Sequence, residues 1–354
     1  MSGSVMAQPT TRGAPRILQV AKANARDSGS VGIAMLALAG LFVWAMSLND
    51  RVLSYLGLSL LLQSSVVLVF AACSAAFVIL IGDIDLGIGN FIGLANAVVA
   101  VHLTSNPMIG VLLIVALVAS YGVLGLIIEV VQIPAIVATL GAAFVWFGLA
   151  TLVLPQPGGA SPGWLSSIVQ SQPPLVPISV WIAVITAVVF HGWLFYTRTG
   201  LGLRALGSNR QNLVRSGSSS LRLRVTAYLM AGLLGVLAGL ALTGVTGGGS
   251  ATGTSQYTLL AIGGVILGGG EFSGGRVSIV GAVLGALSLA MVGSVVSLVG
   301  LSSVWQSAVV GVVLIVIMAL RRVRHGIERI IRHRQKARQR AEERAVMEGA
   351  HDAI

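Results

Sequence analysis

The chain is built from apolar runs of about 20 residues, the length a helix needs to cross a hydrocarbon layer roughly 30 Å thick. Ten such runs can be delimited, at 31–48, 58–81, 87–104, 108–131, 134–154, 176–195, 225–246, 257–270, 277–299 and 303–320, the third and eighth being short. In lipid every backbone N–H and C=O has to be satisfied internally, which leaves such runs little choice but helix. The expected fold is therefore an all-α polytopic membrane protein with about ten transmembrane helices. Composition supports this, because 55% of residues are apolar and only 9% are charged, against about 25% charge in a soluble domain. The expected organisation is a polar N-terminal tail over 1–30, one membrane domain over 31–320, and a basic C-terminal tail over 321–354.

A net charge of +11 would point to nucleic acid in a soluble protein, but the placement of the charges argues otherwise. Four basic residues precede the first run (Arg12, Arg16, Lys22, Arg26), six follow the sixth (Arg198, Arg204, Arg210, Arg215, Arg222, Arg224), Arg276 lies between the eighth and ninth, and ten follow the last. With ten spans both tails share one side, and all of these fall on it, leaving Arg51 alone outside. The positive-inside rule makes that side the cytoplasm. The first run lacks the short apolar core and small-residue cleavage site of a secretion signal, so it reads as a retained span. The acidic-poor lead with Arg and Ser also fits an organelle transit peptide.

Catalytic signatures are missing. Neither lysine, Lys22 or Lys336, follows glycine as a Walker A motif requires, and no His-Glu-x-x-His or Gly-x-Ser-x-Gly occurs. Gly200-Leu-Gly-Leu-Arg-Ala205 matches the loose dinucleotide fingerprint by chance, since no acid between Glu129 and Glu271 could hold a ribose. The single cysteine, Cys73, supplies neither a disulfide nor a metal site. No metal, no cofactor and no enzyme activity are expected in this chain.

Polar residues at membrane depth are the candidates for function. Asp83 and Asp85 lie in Gly82-Asp-Ile-Asp-Leu-Gly-Ile-Gly-Asn90, the form of a glycine-broken helix. Two readings compete: a turn in which Asp85 caps a helix, and a solute pathway lined by Asp83, Asp85, Asn90 and Thr139. Glu129, at the end of the fourth run, reads as a solvated interfacial residue. Pairs such as Gly89 and Gly93, Gly235 and Gly239, Gly264 and Gly268, and Gly281 and Gly285 mark close helix packing. The stretch from Gly244 to Gly253 is expected to be an outward gate or a flexible connector. His102 and His191 receive no role.

The loop 196–224 carries six arginines and no acid, which suits anionic lipid headgroups or an acidic groove on a partner. The tail after Arg321 alternates Arg and Glu over apolar positions and reads as an anchor on the inner leaflet.

Gly82-Asp-Ile-Asp-Leu-Gly-Ile-Gly89 resembles the Gly-Gly-Ile-Asp-Leu-Ser-Val-Gly signature of bacterial ABC permeases for ribose, xylose, related monosaccharides and the autoinducer-2 signal. Ile133-Pro-Ala-Ile-Val-Ala-Thr-Leu-Gly141 is similar to that family's Pro-x-Phe-Ile-x-Thr-Leu-Gly. Gly268-Gly-Gly-Glu-Phe-Ser-Gly-Gly-Arg276 resembles its Gly-Gly-x-x-x-x-Gly-Gly-Arg, and Trp305-Gln306 opens the last span as in the family. Ala205-Leu-Gly-Ser-Asn209 and Arg215-Ser-Gly217 resemble its coupling loop. The match covers about residues 53–320. Asp83 departs from it by replacing a usual glycine, as does Gln211-Asn-Leu-Val in place of Glu-Ala-Ala.

The resemblance implies the channel-forming subunit of an ATP-driven importer in the bacterial inner membrane. Its implied partners are a second permease subunit (as homo- or heterodimer), a secreted solute-binding protein, membrane lipids, and a cytoplasmic ABC ATPase that holds the ATP and Mg. Nucleic acid is not among them. Gly207, Asn209, Arg215, Ser216 and Gly217 would contact the ATPase, and a monosaccharide or similar polar solute would be the cargo. The rivals are a self-sufficient secondary transporter using the intramembrane carboxylates, and a membrane scaffold acting through the basic tail.

Overall fold

A computed structural model of the chain describes residues 16–300 and scattered positions between 305 and 319. Residues 1–15 of the expected tail over 1–30, most of the tenth run and the tail over 321–354 lie outside the described residues, while 16–30, expected as tail, instead begin α1 and extend the first run by several turns. The described part is all helical: α1 (Arg16–Leu48), α2 (Tyr55–Leu62), α3 (Ser65–Leu80), α4 (Ile88–Val98), α5 (Pro107–Val131), α6 (Ala135–Val153) and α7 (Gly163–Val169) form the first half. The second half holds α8 (Ile178–Tyr196), α9 (Arg198–Ser208), α10 (Arg210–Arg215), α11 (Ser220–Thr246), α12 (Gln256–Leu267) and α13 (Ile279–Leu298).

Among the described residues, six helical stretches are long and apolar enough to cross a membrane: Tyr55–Leu80, α5, α6, α8, α11 and α13. Shorter apolar helices at Ala34–Leu48, Ile88–Leu103 and Gln256–Leu267 correspond to the first, third and eighth runs. The third run is interrupted by a π-helical turn over Val99–Leu103. α11 begins at Ser220, about a turn before the expected 225, and this brings Arg222 and Arg224 into the helix. The stretch after the sixth run is not an open loop but two short helices. Thr197 caps α9 by accepting the Gly200 N–H, and Asn209 caps α10 by accepting the Asn212 N–H.

α3 is the hub of the bundle. All its residues but Phe70 are buried, and it packs against α11, α12, α13 and α8. Its few polar atoms are satisfied internally, as where the Ser74 hydroxyl donates to the Ala231 carbonyl at 2.8 Å. α11 lies against α5, α3 and α4, and α12 against α13. At the last interface Gly264 of α12 and Gly268 at its C-cap face Gly285 and Gly281 of α13 so closely that a methyl group on any of them would crowd or overlap opposing backbone. Without a hydrophobic drive between helices in lipid, such small faces maximise dispersion contact. By contrast α6 and α8 present Phe144, Leu152, Val184 and Val188 outward, an apolar surface suited to acyl chains.

Candidate functional site

α3 ends where Gly82 turns into the left-handed region at φ 87°, a conformation glycine adopts at no steric cost. The connector from Gly82 to Gly87 that follows is pinned on both sides. Asp85 is buried; its Oδ1 accepts the Gly87 N–H at 2.7 Å and its Oδ2 accepts the Tyr121 hydroxyl of α5 at 2.6 Å. Asp85 thus closes the start of α4 by an Asx turn, although the N-cap position itself is Gly87. Thr139 of α6 accepts the Leu86 N–H at 3.1 Å and donates to the Ile84 carbonyl at 3.3 Å. The half-buried Asn90 donates to the Ala143 carbonyl at 3.1 Å. Tyr121 stacks on Trp146 at 4.7 Å, and Phe91 meets both edge-on, so the Asp85 carboxylate sits behind an aromatic wall. The four residues expected along a solute pathway all lie on this connector or next to it, and two of them, Asp85 and Thr139, are spent on fixing it.

Asp83 faces the other way, into a charge network. Its Oδ1 lies 3.2 Å from Nη2 of Arg224, and its Oδ2 accepts the Tyr228 hydroxyl at 3.2 Å. Burial pushes the Asp83 carboxyl above its ordinary value, with Arg224 and the Tyr228 hydroxyl opposing that shift. Arg224 also places Nη1 2.7 Å from Oε2 of Glu129. The other Glu129 oxygen receives Arg210 Nη2 and the Ser220 hydroxyl, both at 2.6 Å. Glu129, expected to be solvated, is instead 7% exposed. Two arginines take the place of water around it, which is what a carboxylate removed from solvent requires.

A second seam joins the same three regions through backbone. The Gly275 N–H donates to the Leu80 carbonyl at 2.7 Å, and Gly274 lies against Gly82 and the Gly207 carbonyl. A side chain at Gly207 would overlap the Leu80 carbonyl and the Gly275 amide. The glycine segments near 82, 207 and 274, far apart in sequence, therefore close on one another at the end of α3.

The remaining candidates of the 198–217 segment lie on its outer side. Asn209 caps α10, Ser216 closes it by donating to the Leu213 carbonyl, and Gly217 turns the chain at φ 79°. Arg198, Arg215 and Arg222 are exposed, while Arg204 lies 4.1 Å over the Phe195 ring. Gly89 and Gly93 of α4 pack on the turn at Thr254, Ser255 and Thr258.

At the opposite end of α11, Asn96 organises the glycine-rich stretch. Its Nδ2 donates to the Thr243 hydroxyl at 2.8 Å and to the Gly248 carbonyl at 3.2 Å, and its Oδ1 accepts the Ser250 N–H at 2.7 Å. Gly158 and Gly249 exchange both backbone hydrogen bonds beside it. The stretch is thus tied down along much of its length, next to a cleft of about 480 Å³ lined by Asn96, Gly159, Thr246, Ser250 and Tyr257. Tyr121, Tyr228, Arg224 and Asn96 were not singled out by the sequence. The aromatic hydroxyls sit in ordinary apolar runs, and Arg224 was one of six in a basic segment.

Residues 57–318 match the family described as the permease component of the branched-chain amino acid transport system. The chain is 30% identical over 317 residues to the autoinducer 2 import system permease protein LsrC of Yersinia enterocolitica, covering 87% of each. The Escherichia coli K12 protein of the same name is 30% identical over 316 residues, 86% of this chain and 91% of that one. The Enterobacter protein is 31% identical over 295 residues, 81% and 85% respectively. No solved structure matches the chain.

Proposed function

The chain belongs to this permease family of ABC importers, multi-pass inner-membrane transport proteins rather than enzymes, and on that premise we propose that it forms the translocation channel for a monosaccharide or a small signal of the autoinducer-2 kind. It works as one of two permease subunits. A secreted binding protein delivers the solute, and a cytoplasmic ATPase pair binds ATP and Mg. Ten spans place both tails and the α9–α10 hairpin in the cytoplasm, in keeping with the distribution of Lys and Arg.

The observation that carries this reading is the seating of the hairpin. Its inner side is locked to α3 through Gly207 and to Glu129 through Arg210, while its outer side offers exposed Arg198 and Arg215, with exposed Arg222 nearby in the first turn of α11. A basic hairpin seated against the hub of the bundle is a handle on which an acidic partner can pull. Movement of the handle tilts α3 and reopens the pathway beside the α3–α4 break, near Asn90, as a rigid-body switch between access states.

Proteoliposomes holding the complete complex, with the binding protein supplied outside, test the proposal. Uptake of labelled pentoses, hexoses or autoinducer-2 is expected only with ATP inside. Uptake by the chain alone under an imposed proton or sodium gradient would replace it with a secondary transporter using Asp83 or Asp85.

A further inference from the structure

The charge network has an arrangement that stability does not account for. Arg224 spans two carboxylates from different elements, Asp83 on the α3–α4 connector and Glu129 at the end of α5, with its own side chain only 13% exposed. Burying such groups costs desolvation that apolar residues of similar volume would not incur, so a buried ion network is weak evidence for a purely stabilising role. Its connectivity points elsewhere. The hairpin reaches the network through Arg210, whose Nη2 lies 2.6 Å from Glu129 Oε1. From Glu129 the path leads through Arg224 to Asp83, one residue from Gly82 in the glycine seam and two from Asp85. Asp85 in turn is held by Tyr121, eight residues before Glu129 on α5, about 12 Å along the helix axis.

We infer that Arg224 is a positioning residue for transport, which ties displacement of the α9–α10 hairpin to displacement of the α3–α4 break. The inference rests on the importer reading above. When the hairpin shifts, Arg210 carries Glu129 with it, and Arg224 passes the shift to the connector. The two Arg224 pairs, with side chains no more than 13% exposed, are little screened by salt. Without Arg224 the hairpin still docks, because its outer arginines are untouched, but the break no longer follows it.

The complex in proteoliposomes tests this through the number of solute molecules imported per ATP hydrolysed. Arg224→Met keeps an unbranched apolar stem and removes the guanidinium that forms the bridge. Imported solute per ATP is expected to fall about tenfold, within the roughly 5–150-fold span of a typical coupling free energy, while the ATPase still co-purifies in full amount. The double variant Arg224→Met with Asp83→Asn removes the uncompensated carboxylate on the connector. It is expected to regain the melting temperature lost by the single variant and to remain uncoupled. A single variant that imports at the normal ratio would overturn the inference, and so would a parallel loss of hydrolysis and import, or a double variant that recovers coupling together with stability. If the unaltered complex shows no ATP-driven import, it is the importer reading that fails, not the assignment of Arg224 within it.

Discussion

Thr139 shows how much one hydroxyl can do in a segment with no regular hydrogen bonding. It accepts from Leu86 and donates to the Ile84 carbonyl, serving backbone groups that the break in the helix leaves open. Thr139→Val preserves shape and strands the part-buried Leu86 N–H, so a loss of about 1 kcal/mol is expected, read as a lowered melting temperature in detergent that Thr139→Ser largely restores. Gly207 acts through the absence of a side chain. Gly207→Ala should abolish ATP-driven uptake, because even one methyl group overlaps the Leu80 carbonyl. Uptake at the normal rate by that variant would mean the seam yields easily. The residues of the break could be picked out in the sequence because glycine and aspartate are rare inside apolar runs. Their partners could not, since Tyr121 is one aromatic among apolar neighbours. Glu129 likewise looks the same whether it ends in water or against Arg210, 81 residues later.

Among the elements, long helices such as α5, α6 and α11 announce themselves by length and apolarity alone, and their ends fall within a few residues of the expected boundaries. The short ones do not. α7, α9 and α10 run for 7, 11 and 6 residues, below the length at which a helix is stable by itself, so packing and caps decide them. The stretch 244–253 was open in the sequence between a gate and a loose connector. Asn96 decides its state by bonding three separate groups around it. Asn96→Ala should release it, and amide hydrogen exchange at Ser250 should accelerate by roughly tenfold, since one lost buried hydrogen bond is worth about 1–1.5 kcal/mol. Unchanged exchange there would show that the Gly158–Gly249 pairing alone is sufficient.

For the whole molecule, the testable statement is topological. Cys73 is fully buried on α3, with no exposed thiol elsewhere in the chain, so single introduced cysteines can be followed against a silent background. In intact spheroplasts an impermeant maleimide should modify Ser250→Cys, and reach Ser216→Cys only after the membrane is opened. The reverse pattern would invert the assigned orientation and separate the hairpin from any cytoplasmic partner. The glycine seam has a mechanical corollary at this scale. A joint made of backbone against backbone has no side chain to rotate and therefore no play, so it behaves as a fulcrum rather than a spring. α3, at 16 residues, is about 24 Å long, and every ten degrees of tilt at that pivot would sweep its far end by about 4 Å, enough to pass a small polar molecule or to shut it out.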